Sequence, residues 1–504
     1  MTFTAVLMAA ALAIGGAPGP AGTGSALTVR TDAGLVRGVA HEGYRTFQGV
    51  PYAAPPTGDR RWRAPQPVTA WAGVRAADAP GPDCAQNGAS SGASPSDEDC
   101  LYVNVTTPRD GRGRHPVLLW LHGGGFQTGS GSMYDAHRLA RRGVVVVTVN
   151  YRLGVFGYLG LPGLAGSGTF GLQDQQAALR WAHRNAAAFG GDPTNITLAG
   201  QSAGGMSVCA QLTSPAAAGL FQRAVIQSGS CLTDWPDELF LPGVGAGSQW
   251  SPLDAVQRQG TELAATLGCR GDRLACLRAQ PPETLLSHTQ GIGVQAFVTP
   301  AYGTPLLPWA PADALRAGAF HHMPVLSGHT RDEHRGFVAS VDLVTPVTAE
   351  RYAAILHAAF GEQAARVRAA YPVDAYPSPG LAWAAVATDR IWACPTLAGD
   401  RLLARRNPTY AYEFAERDGP APAVPYAWGA FHGSELPYLF DVGYLAGKPQ
   451  TALADRMVDA WARFAATGRA GWPGAPYVQA FAAGAVGPVD AAAEHHCGLW
   501  SRIG

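Results

Sequence analysis

Eleven residues, Asn195-Ile196-Thr197-Leu198-Ala199-Gly200-Gln201-Ser202-Ala203-Gly204-Gly205, restrict this chain more than any other stretch. A strand-forming run, Ile196 to Ala199, enters Gly-x-Ser-x-Gly directly, and the residues after Gly205 read as helix. That is the sequence form of a nucleophile elbow, a strained strand-to-helix turn that lifts one hydroxyl, here that of Ser202, clear of the backbone. Gly200 and Gly204 flank the serine because a side chain at either place would crowd so tight a turn. The helix that follows directs its N-terminal end at the serine, where developing negative charge is favoured. With 63 glycines in the chain, the pattern alone would arise by chance in loops. The strand before it and the helix after it are what give it meaning.

A nucleophilic serine needs donors for the oxyanion it creates. His122-Gly123-Gly124-Gly125-Phe126 lies directly after the apolar run Val117 to Leu121. Successive glycines let the backbone approach a ligand and turn N–H groups toward it. Gly124 and Gly125, with the N–H of Ala203 just after the serine, give up to three such donors. No Gly-Lys-Ser/Thr ending follows, so a phosphate-binding loop is a poor reading of the same glycines.

Around these two motifs, strand-like and helix-like runs alternate. Leu101 to Val105 alternates in polarity, while Val117 to Leu121 and Val144 to Val149 are continuous apolar runs suited to parallel strands buried on both faces. Between Gly171 and Gly190 the apolar residues fall at helical spacing, and a crossover helix fits there. Further strands are expected at Ala224 to Ile226, Pro324 to Leu326 and Tyr410 to Phe414, and a helix at Ala452 to Ala466. The turn-rich segments around Gly49 to Ala53 and Arg60 to Pro65 suggest no element. The alternation predicts an α/β fold with a large, mostly parallel central sheet covered by helices on both faces. Residues 230–320 break the rhythm with Pro, Gly and Trp and read as a cap-like insertion. Although 504 residues exceed the usual domain size, no composition break divides them, so residues 27–504 read as one domain.

Lys+Arg and Asp+Glu both number 37, which argues against nucleic acid as a partner. Residues 1–26 read as a secretory signal, with an apolar stretch from Ala5 to Ile14 and small residues up to Ala26, although the first residues carry no Lys or Arg. That stretch is too short to span a membrane, and no later run of 18 apolar residues occurs. Eight cysteines without a Cys-x-x-Cys motif fit an exported, disulfide-bonded chain. His321, His322, His329 and His334 crowd together but lack a second ligand cluster, so no metal and no cofactor is expected. His495 and His496 are expected at the surface.

The ordered motifs resemble those of the type-B carboxylesterases, the α/β-hydrolase family that includes the cholinesterases. The resemblance rests on Glu98-Asp99-Cys100-Leu101-Tyr102-Val103-Asn104, the HGGGF run, Asn150 to Gly157, Gly190-Gly191-Asp192-Pro193, the elbow, and Gln227-Ser228-Gly229-Ser230. It continues through Arg331-Asp332-Glu333, Phe431-His432-Gly433-Ser434-Glu435-Leu436-Pro437 and His496-Cys497-Gly498-Leu499-Trp500, covering residues 27–504. It implies the α/β-hydrolase fold, hydrolysis of small to medium esters, and a triad of Ser202, Glu333 and His432. The glycine usual after the glutamate is His334 here, which leaves Asp332 as a competitor for the acid. Among 14 histidines, His432 is chosen by its His-Gly-x-Glu-Leu-Pro context.

The resemblance also implies bridges Cys84–Cys100, Cys269–Cys276 and Cys394–Cys497. Cys209 and Cys231 stay open, as a fourth bridge or as two free thiols. Arg152 with Asp174 and Arg61 with Glu98 are implied ion pairs, and Ser228 an implied hydroxyl near the acid. A cholinesterase carries a choline-binding tryptophan in its first disulfide loop, whereas Ala85 to Asp99 holds no aromatic residue, and that short loop also argues against the apolar lid of a lipase. A non-catalytic member would generally lack the serine or the histidine. The expected partner is a small-molecule ester, and the sequence does not speak to oligomeric state.

Overall fold

A computed structural model describes residues 27–87, 96–110, 113–289 and 299–503. The signal reading of residues 1–26 falls outside them. The chain builds a thirteen-stranded sheet. In chain order its strands are β1 (Leu27–Arg30), β2 (Leu35–Ala40), β3 (Tyr44–Pro51), β4 (Val74–Ala76), β5 (Tyr102–Pro108), β6 (His115–Leu121) and β7 (Val145–Val149). They continue with β8 (Gly191–Gln201), β9 (Arg223–Gln227), β10 (Val325–Thr330), β11 (Thr409–Phe414), β12 (Val478–Phe481) and β13 (Gly487–Val489). Across the sheet the order is β1-β2-β3-β5-β7-β6-β8-β9-β10-β11-β12-β13, with β4 added beside β2. From β7 to β12 every neighbouring pair is parallel, and antiparallel strands close both flanks.

The apolar runs are continuous because alternate side chains enter two different cores. Val117, Leu119 and Leu121 of β6 join Val145, Val147 and Val149 of β7 and Ile196 and Leu198 of β8 on one face. Leu118, Trp120, Val146 and Ala199 point to the other. The first face is covered by α1 (Phe170–Asn185), through Leu172, Ala178 and Leu179, and by α2 (Ala203–Thr213), through Met206 and Val208. The second is covered by α3 (Thr451–Thr467), through Leu453, Met457, Trp461 and Phe464.

Three readings need correction. Gly49 to Pro51 belongs to β3, whose partner β5 pairs Val50 with Val103. The helix of the elbow starts at Ala203, immediately after the serine. Between β10 and β11, where no element was assigned, run helices Arg335–Asp342, Ala349–Phe360, Ala364–Ala370, Pro379–Ala387 and Cys394–Leu403. Pro379–Ala387 is apolar almost all round and mostly buried, so it offers no one-sided periodicity to read.

The insertion packs through Leu263, Ala264, Leu277 and Leu285 on Trp62, Val155, Phe156 and Phe170, covering the segment that follows β7. Arg61 ties the two parts together: it meets Glu98 at 2.6 Å and donates to the carbonyls of Arg278 and Gln280. All eight cysteines are paired, as Cys84–Cys100, Cys209–Cys231, Cys269–Cys276 and Cys394–Cys497. The second of these joins α2 to the segment beyond β9.

Candidate active site

The parallel register brings the carboxyl ends of β6, β8, β9 and β10 level: Gly200 lies opposite Leu121, Gln201 opposite Gln227, and Gln227 opposite Gly328. Ligand sites form at this edge of an open α/β sheet. The HGGG loop leaves β6 here, Ser202 follows β8 directly, Glu333 follows β10 and His432 lies beyond β11.

Ser202 is held at φ 57°, a conformation a non-glycine residue adopts only under strain of about 1–3 kcal/mol. Its N–H donates to the Gln227 carbonyl and its own carbonyl accepts from Met206, so strand and helix pin the turn from both sides. The flanking glycines are a matter of space. A Cβ on Gly204 would run into the Leu121 carbonyl, and one on Gly200 into the Gly204 backbone.

The HGGG loop is built with similar closeness. Gly124 and Gly125 sit at φ 106° and 61°, and a Cβ on Gly123 would come within 3.0 Å of Ser202 Cβ. Among the described residues, neither the Gly124 nor the Gly125 N–H donates to a backbone carbonyl. His122 anchors the loop: its ring bonds the Gly123 carbonyl at 2.8 Å and stacks on Tyr151, whose hydroxyl donates to the His122 carbonyl. Burial pushes this imidazole down to about 4, so it is neutral at pH 7.

Glu333 Oε2 lies 2.6 Å from His432 Nδ1. The carboxylate is fully buried, whereas the histidine keeps 13% exposure and can be reached from solvent. Burial would raise the Glu333 carboxyl, but His432, Ser228 and the Thr330 N–H bring it below its ordinary value. The Ser228 hydroxyl itself makes no hydrogen bond of ordinary length. On the opposite ring edge, the Gln201 amide donates to His432 Nε2 at 3.2 Å. With Glu333 at Nδ1 and an amide N–H at Nε2, the neutral imidazole carries its proton on Nδ1 and turns its lone pair toward Gln201, the residue before Ser202.

Asp332 turns the other way. Both its oxygens are engaged by Arg417, Arg335 adds a third contact, and the Ala430 N–H a fourth. Burial is outweighed by these partners, and the carboxyl lies below its ordinary value. The signal was present in the sequence, since Arg335 stands three residues on.

Glu435, close to the triad acid, carried no sequence expectation, whereas the implied pair of Arg152 with Asp174 is present. Glu435 Oε1 accepts from Gln227, whose own oxygen accepts from Trp461. Burial first, then the charge of Glu333, raises the Glu435 carboxyl to about 7. Arg152 and Asp174 form a buried two-pronged pair at 2.7 Å that fixes the loop after β7 onto α1.

The crowded histidines disperse. His321 bonds the Ser214 carbonyl, and His334 enters an aromatic cluster. His329 meets Glu413 and His495, with ligand atoms within 4.8 Å, a set able to hold a metal. Here His495 is already bonded to Asp389 at 2.6 Å and to Glu413 at 2.8 Å. The surface expectation for His495 is therefore wrong: it is buried between two carboxylates, while His496 is exposed.

Taken together, a strained serine, a run of open N–H groups and an oriented imidazole can carry out acyl transfer. The sequence comparisons agree. The model of the carboxylesterase family matches residues 25–480. The chain is similar to the para-nitrobenzyl esterase of Bacillus subtilis, 35% identical over 87% of this chain and 90% of that protein. It is likewise similar to the fumonisin B1 esterase of Sphingopyxis macrogoltabida, 35% identical over 88% and 82%. The cocaine esterase of Oryctolagus cuniculus is 32% identical over 88% and 89%.

Proposed function

The chain belongs to the carboxylesterase family and is a carboxylic ester hydrolase, and from that premise we propose that it cleaves small to medium esters through Ser202, His432 and Glu333. The observation that carries this reading is the 2.6 Å contact of Glu333 with His432 Nδ1, with Asp332 engaged elsewhere by two arginines.

In this mechanism Ser202 attacks the ester carbonyl as His432 Nε2 takes its proton. The N–H groups of Gly124, Gly125 and Ala203 stabilise the oxyanion, and the N-terminal end of α2 adds to their field. The imidazolium, stabilised by Glu333, then protonates the leaving alcohol. Water activated in the same way hydrolyses the acyl-enzyme and frees Ser202. Gln201 must release His432 Nε2 when the serine proton moves.

The proposal extends to location and organisation. Residues 1–26 serve as a signal peptide and residues 27–504 form one secreted domain, a reading supported by four disulfides. Among the described residues no helix is long and apolar enough to cross a membrane.

The test is a panel of aryl esters of rising acyl length, extended to a para-nitrobenzyl ester, fumonisin B1, phenmedipham and cocaine, the compounds in the names of four relatives. Turnover of short and medium esters, lost in His432→Ala, supports the proposal. Turnover confined to long-chain emulsified esters, or undiminished in His432→Ala, contradicts it.

A further inference from the structure

His334 occupies the place where the family pattern has glycine, directly after Glu333. Its imidazole is fully buried and both ring nitrogens are engaged. Nε2–H donates to the Phe240 carbonyl at 2.7 Å, and Nδ1 accepts the indole N–H of Trp392 at 3.0 Å. Those two contacts define one tautomer of a neutral ring. Burial pushes this histidine down to about 4, so it stays neutral wherever the enzyme would work.

Trp392 lies in a π-helical turn, Thr388–Ala393, and is buried. Its ring centroid is 4.8 Å from that of His432. It also stacks on Phe337 at 5.7 Å and 10°, and Phe337 in turn packs against His432 at 5.2 Å. Glu333 holds His432 at Nδ1 and Gln201 holds it at Nε2, but Gln201 must let go when the serine proton moves, and a ring then held at one point can swing. The two aromatic rings supply the remaining restraint.

We propose that His334 is a positioning residue for ester hydrolysis, holding the Trp392 indole and with it Phe337 against His432, so that Nε2 stays on the side of Ser202. This rests on the triad reading above. The His334 ring touches no reacting group; it packs on Phe337 at 5.0 Å and bonds Trp392, and acts on His432 through these two rings. The π-helical turn fits the role, because such turns re-aim side chains inside a helix and gather at functional sites.

The experiment compares His334→Leu, His334→Asn, Trp392→Phe and the double variant His334→Leu/Trp392→Phe, with kcat normalised to active sites titrated by a phosphonate. Displacing a catalytic group by about 1 Å costs on the order of 100-fold. His334→Leu and Trp392→Phe should each lower kcat roughly 10- to 100-fold with KM little changed. The double variant should be no worse than the poorer single one, the mark of residues acting as a unit. His334→Asn should recover most of the loss, since its Oδ1 stands near the position of Nδ1 and accepts the same N–H. A role confined to stability would lower the melting temperature and the titrated fraction while leaving kcat per site unchanged.

Wild-type kcat in either single variant, or additive losses in the double, overturns the proposal. If His334→Leu does not fold, Trp392→Phe and His334→Asn carry the test alone. His432→Ala separates the two claims. If it is inactive while these variants keep full kcat, only the role of His334 falls. If it is active, the triad reading falls first.

Discussion

At the scale of single residues, the two adjacent carboxylates differ in what each can reach. Glu333 meets His432 inside the protein, whereas Asp332 is neutralised by Arg335 and Arg417. Glu333→Gln is therefore expected to lower kcat on the order of 10⁴-fold, by the serine-protease precedent for losing the carboxylate that orients the histidine. Asp332→Asn should leave kcat nearly intact and show its effect in melting temperature. Steady-state kinetics on both variants checks this, and the reverse pattern would move the acid by one residue. His495 gives a prediction with a pH sign. Burial would lower its pKa, but Asp389 and Glu413 raise it to about 10, against 6.5 for a free imidazole. Its stabilising contribution is complete below pH 6.5 and is lost as pH rises through 10. His495→Gln should lose about 3–5 kcal/mol at pH 6, the usual range for breaking a buried ion pair, and the deficit should narrow toward pH 10. Denaturant unfolding at the two pH values measures it, and a deficit independent of pH would contradict it.

At the scale of elements, the elbow and the central strands were legible because each rule they obey is local. A tight turn demands glycine, and a doubly covered strand demands an unbroken apolar run. The expected strand Ile196 to Ala199 is the core of β8, and Tyr410 to Phe414 is β11 but for its first residue. What stayed hidden depends on contacts between distant segments. β3 owes its place to pairing with β2 and β5, and the helix Pro379–Ala387 is too apolar to show a face. His495 looked like a surface residue because its partners, Asp389 and Glu413, lie 106 and 82 positions away. Of the site, Ser202 and the HGGG loop could be read from the residues themselves. Glu333 and His432 came from resemblance, and the aromatic support of His432 from neither. The elbow carries a direct prediction. Gly204→Ala drives a methyl into the Leu121 carbonyl and should destabilise the protein by about 1–3 kcal/mol, the usual range for overpacking. It should also abolish turnover, because Ser202 cannot keep its place if the turn opens. Wild-type melting and activity in that variant would show that the turn is looser than described.

At the scale of the whole molecule, the parallel centre of a mixed sheet carries the candidate site at one edge, and four disulfides fasten the segments around it. Cys209–Cys231 ties the helix behind the nucleophile to the segment beyond β9, and Cys394–Cys497 closes a separation of 103 residues. Thiol titration of the denatured, unreduced protein should find none of the eight cysteines free. Six or more free thiols would remove both the bridges and the argument for export. Removing the long-range bridge by Cys394→Ala/Cys497→Ala should lower stability by about 2–5 kcal/mol, with kcat per titrated site preserved. The central claim remains that Ser202 becomes acylated. Its most direct measurement is covalent labelling with an aryl phosphonate, followed by peptide mapping of the adduct. One equivalent on Ser202, with loss of esterase activity in step with labelling and no adduct in Ser202→Ala, is the predicted result. An adduct on another residue, or full ester turnover by Ser202→Ala, would contradict it.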